Sequence, residues 1–169
     1  MEIREYQQGE LSRLLVNVEQ SGGLQVIFFE EDYSYAPIPS PFRSPNNGIS
    51  LCLRGHMKVE LDFKEYLIED GILTFFPAHS IQHFKEVDES IKIISIAFSD
   101  EYFFSNFLYQ HSLSMLNLLY KREAFALMLK EPVKNRLQAV MESLYSVVCD
   151  KQKQNFKEEL IFHFFNAIC

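Results

Sequence analysis

Hydrophobic spacing divides the chain into stretches of different period. From Glu10 to Val18 the positions Leu11, Leu14, Leu15 and Val18 recur at helical intervals, and Ser21-Gly22-Gly23 ends the segment. Leu24 to Phe29 is a short apolar run expected as a strand. Between Tyr33 and Gly48 stand Pro37, Pro39, Pro41 and Pro45, then Asn46-Asn47-Gly48. Neither a helix nor a central strand tolerates prolines at that density, so an extended loop closing in a turn is expected. Ile49 to Leu53 is the next strand, ended by Arg54-Gly55. Met57, Val59, Leu61 and Phe63 then alternate with Lys58, Glu60, Asp62 and Lys64, the pattern of a half-exposed strand. Tyr66 to Ile68, Ile72 to Phe76, Ile81 to Val87 and Ile91 to Phe98 follow, divided by Glu69-Asp70-Gly71, Pro77 and Asp88-Glu89-Ser90. Short strands at this regular spacing predict a sandwich or barrel.

Beyond residue 99 the period becomes helical. Ser99 is placed to cap a helix starting at Asp100, with two acids in its first turn. Ser112 to Leu119 and Glu123 to Leu129 read as short helical or turn pieces. Pro132 is suited to the first turn of a longer helix, whose stripe is Val133, Leu137, Val140, Met141, Leu144, Tyr145 and Val148. Phe156, Leu160, Ile161, Phe164, Phe165 and Ile168 repeat the pattern. Joined through residues 149–154, the two helices predict an antiparallel hairpin. The expected class is mainly β with C-terminal helices, α+β. The units are residues 1–99, a barrel with a short N-terminal helix, and residues 100–169, helical and part of the same structural unit.

Composition sharpens this. Sixteen Phe and eight Tyr against no Trp point to a core, cavity wall or interface built from aromatics. The net charge is -7, with the acidic excess in the first 99 residues, so this chain by itself is not expected to bind nucleic acid. No apolar run is long enough to span a membrane, the first residues lack a signal pattern, and the three cysteines show no CxxC spacing. A cytoplasmic protein is expected. The last residues, ELIFHFFNAIC, stop inside an apolar periodic pattern without a polar cap, from which a longer chain is expected.

The run Gly71-Ile-Leu-Thr-Phe-Phe-Pro77, with histidines a few residues on and a Gly55-bounded turn before it, resembles the second half of a cupin barrel motif. Ile49-Ser-Leu-Cys-Leu-Arg-Gly55, Tyr66-Leu-Ile-Glu-Asp-Gly71 and Ile96-Ala-Phe-Ser-Asp-Glu-Tyr-Phe103, with the helical tail, resemble the N-terminal sensing domain of AraC-type transcription regulators over residues 20–169. The resemblance implies a bacterial sensor for transcription regulation. It would be a cupin-like double-stranded β-barrel (double-stranded β-helix) followed by the antiparallel hairpin, binding a small-molecule effector and forming a homodimer. DNA would be bound through a C-terminal helix-turn-helix domain that this sequence lacks. A cupin-fold enzyme or binding protein, and a dimerisation module with no ligand, are the alternatives.

Metal-binding cupins carry a His-x-His pair and a Glu on earlier strands and a His after the proline. Here the His-x-His places fall near Phe42 to Ser44, the glutamate place near Gly48 and the later histidine place on Gln82. His79 stands where the motif has a glycine. His79 and His83 alone would not hold a metal, so no metal or other cofactor is expected, and His79 is expected at a solvent-facing corner. No GxSxG, GxGxxG or P-loop occurs, so no catalytic residue is assigned. Cys52 is expected as buried filler. Selectivity for a ligand is expected from a few polar groups among apolar walls: Arg43, His83 and Arg54, with Tyr35 and Phe42 in the proline-rich segment. Arg43 would suit a carboxylate, whereas surface exposure is the duller reading of both arginines. For His83, inward packing and exposure are both open. The dimer interface is expected on Val133, Leu137, Val140, Met141, Leu144, Tyr145 and Val148, with packing on the barrel as the alternative.

Overall fold

The computed structural model describes residues 3–6, 18–30, 40–106, 117, 119–121, 123–150 and 156–169. Its strands are β1 (Arg4–Glu5), β2 (Val18–Ser21), β3 (Leu24–Glu30), β4 (Phe42–Arg43), β5 (Asn47–Arg54), β6 (His56–Leu61), β7 (Lys64–Glu69), β8 (Ile72–Phe76), β9 (Ile81–Val87), β10 (Lys92–Phe98) and β11 (Phe125–Met128). The helices are α1 (Asp100–Asn106), α2 (Glu131–Cys149) and α3 (Lys157–Ile168). The strands form two sheets, ordered β1-β4-β9-β6-β7 and β11-β8-β5-β10-β3-β2. This is the expected cupin-like barrel, mainly β, with a helical hairpin after it.

The turns follow from the residues at them. Gly55 and Gly71 both have positive φ, and a Cβ on Gly55 would lie 2.8 Å from Ile91 Cα, so the turn after β5 has room only for glycine. His79 holds φ 65°, the left-handed conformation that the motif's glycine adopts without strain. Its N–H donates to Ser44 O at 2.7 Å, and its side chain is at a solvent-facing corner as expected.

The six-stranded sheet is covered on both faces. Leu24 and Val26 of β3, Ile49 and Leu51 of β5, Phe75 of β8 and Ile94, Ile96 and Phe98 of β10 meet the helices on its outer face. There Phe98 lies 5.2 Å from Phe165 of α3 and 5.9 Å from Phe103 of α1, centroid to centroid. Such aromatic pairs contribute about 0.5–1.5 kcal/mol each beyond their buried area. The Ser99 cap forms: its hydroxyl accepts the Tyr102 N–H at 3.0 Å. Lys157 Nζ donates to Val148 O at 3.0 Å, tying the start of α3 to the end of α2.

Several expectations are corrected. Val18 does not end a helix: it opens β2, which pairs with β3 through the Gly22-Gly23 turn. Residues 10–17 of the expected helix lie outside the described residues, as does most of Ser112 to Leu119. Glu123 to Leu129 is not helical, because Phe125–Met128 pairs antiparallel with β8 along the sheet edge. The stripe assigned to a dimer is largely used within the chain. Met141, Leu144 and Val148 are buried in the core, Leu137 and Tyr145 pack against it, Val140 is half-buried, and of the seven Val133 alone is exposed. The apolar outer face of the sheet takes up the stripe, leaving Asn135, Arg136, Glu142 and Ser146 outward. No described helix is long and apolar enough to cross a membrane.

Candidate functional site

Because side chains alternate along a strand, the residues between those outer-face hydrophobics point into the barrel. At one end the interior is filled by Cys52, Ile68 and Ile91. At the other end the inward positions are small. Ser50 pairs with Ser95 and with Thr74, and Gly48 pairs with Ala97 and with Phe76. A row of hydroxyls therefore crosses β10, β5 and β8, beside a row holding a glycine and an alanine. The volume these small side chains leave unfilled is a cavity of about 100 Å³ resting on Met57 and Ile93.

Apolar side chains make most of its wall. Ile27 and Phe29 come from β3, Phe76 from β8, and Phe42 and Phe84 from the facing sheet, their rings 5.7 Å apart. The polar lining is Ser44, Asn46, Asn47, Ser50, Gln82 and Ser95, each more than nine-tenths buried. Ser95 and Ser50 satisfy one another, hydroxyl to hydroxyl, at 2.7 Å. Asn47 is a structural tie: its Nδ2 donates to Asp100 Oδ1 at 2.7 Å and its Oδ1 accepts the Ala78 N–H at 2.9 Å. Asn46 differs. Its backbone N–H is held by Ser44 Oγ at 3.2 Å, but its Oδ1 is buried with no hydrogen-bond partner. Thr74 Oγ1, at the end of the hydroxyl row, is likewise unpaired, and nothing in the structure explains it.

The lining does not suit a metal. The places at which metal-binding cupins carry ligands fall near Phe42 to Ser44, near Gly48 and on Gln82, and Phe42, Ser44, Gly48 and Gln82 all line the cavity. None supplies an imidazole or carboxylate. Among the described residues no group of three or more His, Cys, Asp and Glu is arranged to hold a metal ion.

The structure places the expected ligand-binding residues as follows. Phe42 lines the cavity. Arg43, the next residue on β4, does not, because alternation turns it away from the position Phe42 occupies. His83 is half-exposed and pairs with Glu60, while its neighbours Gln82 and Phe84 face the cavity. Arg54 is exposed at the far end of β5, where its Nε donates to Ser90 O at 3.0 Å. Tyr35 lies outside the described residues. Asn46, Gln82 and the Ser50–Ser95 pair were not foreseen as site residues. The mapped metal-ligand pattern locates Gln82, the place of its later histidine, but not Asn46, Ser50 or Ser95. Cys52 is buried, and burial pushes its thiol up to about 11, so it stays protonated and unreactive at neutral pH.

No protein-family model and no curated protein matches the chain. Among solved structures, it is similar to apo ToxT from Vibrio cholerae, with a TM-score of 0.53 and 12% identity over 88% of this chain and 55% of that one. Unsaturated fatty acid bound ToxT from the same organism aligns with a TM-score of 0.48 and 16% identity, over 85% of this chain and 51% of that one. A putative ethanolamine utilization protein Q from Salmonella typhimurium aligns with a TM-score of 0.36 and 16% identity, over 46% and 58%. The chain thus spans about half the length of the ToxT structures, and the likeness to apo ToxT is one of fold.

Proposed function

We propose that this chain is the effector-sensing and dimerisation part of an AraC-type transcription regulator, binding a small molecule without transforming it. The observation that carries the reading is the position of the cavity, on the opposite face of the same strands that seat the helices. Ile93, Ser95 and Ala97 of β10 line the cavity, which Ile96 also touches, while the side chains of Ile94, Ile96 and Phe98 hold α1 to α3. A ligand that binds one arrangement of this sheet more tightly than another biases the seating of the helices by that difference in affinity. The fold likeness to ToxT, an AraC-family regulator, over 88% of the chain supports it. The absence of catalysis is supported by the lining: none of the described residues around the cavity carries a titratable side chain, and general acid–base chemistry needs one.

Self-association is the second part of the proposal, and the α2 stripe does not carry it. Leu127 and Met128 on the edge strand β11 are exposed, as is Val133 at the start of α2, and an apolar sheet edge is a pairing surface for a second copy.

The regulator assignment is tested on the gene. Reading on past the Cys169 codon should give two helix-turn-helix patterns, and a stop codon there would contradict it. Sedimentation velocity tests the dimer: Met128→Lys should shift it towards monomer. A wild-type chain that stays monomeric at high concentration refutes this part.

A further inference from the structure

We infer that the ligand of this cavity is an uncharged molecule with a short apolar body and one hydrogen-bond-donating head, an amide or a hydroxyl, read by the side-chain amides of Asn46 and Gln82. This rests on the proposed ligand-binding reading and adds the chemical class.

Asn46 is the only described cavity-lining side chain with a fully buried oxygen or nitrogen left unpaired. A buried acceptor without a donor is costly, and native proteins rarely keep one without a use. Its position is fixed from both sides. Ser44 Oγ accepts the Asn46 N–H, Ser44 O accepts the His79 N–H, and the next residue is clamped by Ala78 and Asp100. The backbone that carries the amide is held before any ligand arrives, which lowers the ordering cost of binding. Gln82, on the facing sheet beside Phe42, is more than nine-tenths buried and lines the cavity. An acceptor on Asn46 calls for an N–H or O–H. Two carboxamides offer a head group both donors and acceptors.

The charge of the ligand follows from what surrounds the cavity. Arg43, His83 and Arg54 do not line it, and none of its described lining residues is cationic. A carboxylate placed there would lose its hydration without gaining an ion pair. A neutral amide loses far less. Size follows from the volume: an apolar cavity of roughly 150 Å³ takes up benzene, so about 100 Å³ limits the buried body to at most a single ring.

The experiment titrates the full chain by isothermal calorimetry with benzamide, benzoate and toluene at neutral pH. Benzamide should bind at least about tenfold more tightly than benzoate, the worth of one well-made buried hydrogen bond. Asn46→Leu should remove the advantage of benzamide over toluene while toluene affinity holds, and Gln82→Met serves as a second variant if the first does not fold. Benzoate binding as well as benzamide, or an advantage of benzamide over toluene that survives both substitutions, overturns the inference. Toluene binding without an amide preference overturns it too, but leaves the cavity as a ligand site. Failure of benzamide and toluene alike to bind overturns the ligand-binding reading as well.

Discussion

Ile94, Ile96 and Phe98 on one side of β10, and Ile93, Ser95 and Ala97 on the other, belong to the same seven-residue strand. The first set is fully buried against three helices and contains no polar atom. The second grows smaller and more polar along the strand, from Ile93 over the filled end of the barrel to Ser95 and Ala97 over the cavity. Neighbouring β5 does the same, with Ile49 and Leu51 outward and Gly48 and Ser50 inward. Both faces are buried, so burial alone does not separate structural from functional positions. Side-chain volume and unmet hydrogen bonds do. The outer face is close-packed and its role is stability, whereas the inner face gives up packing to keep a space open.

Substitutions on the two faces should therefore differ in size and in sign. The largest effect is expected for Phe98→Ala, which removes a ring shared with α1 and α3 and should cost about 3–5 kcal/mol in urea unfolding. A loss below about 1 kcal/mol would mean that the helices do not depend on this face. On the inner face, Ser50→Ala should cost about 1–3 kcal/mol by orphaning the Ser95 hydroxyl, and adding Ser95→Ala should recover much of that loss. Thr74→Val should stabilise the fold by about 1 kcal/mol, since it deletes a buried hydroxyl that has no partner. Outside both faces, His79→Gly should raise stability by a fraction of about 1 kcal/mol in thermal unfolding by relieving the left-handed φ. Cys52 adds a small pH dependence. Its folded value is raised from 9.0 to about 11, so its contribution to stability is full below pH 9 and declines as pH rises towards 11.

The outward face was readable in the sequence and the inward one mostly was not. Clean alternation in β6, the glycines at 55 and 71 and Pro77 marked the strands from β5 to β10, because each turn demands a residue type that few others replace. The β2–β3 hairpin escaped notice because Val18 sits at a helical interval from Leu11, Leu14 and Leu15, and the Gly22-Gly23 turn serves as well for a helix end. Strand β11 has no period of its own, and pairing with β8 decides its conformation. In the site, charged and imidazole side chains such as Arg43, His83 and Arg54 stand out in a sequence, whereas the uncharged Asn46 and Gln82 do not. On β9 a one-residue difference in facing separates His83 from Gln82. The position was nonetheless legible: a metal-cupin pattern whose ligand places fall near Phe42 to Ser44, near Gly48 and on Gln82 marks the cavity without showing what fills it. The helical stripe was legible as an apolar surface, but not what covers it, because the outer face of the sheet and a second copy of the chain present the same chemistry.

The central claim is that the inner face of β10 belongs to a ligand site and the outer face does not. Methyl NMR of the full chain, with isoleucine and methionine labelled, tests it most directly during titration with benzamide. The account predicts saturable shifts at Ile27, Ile93 and Met57, with smaller ones at Ile94 against the helices. Shifts confined to exposed methyls such as Met128, or none that saturate, would contradict it.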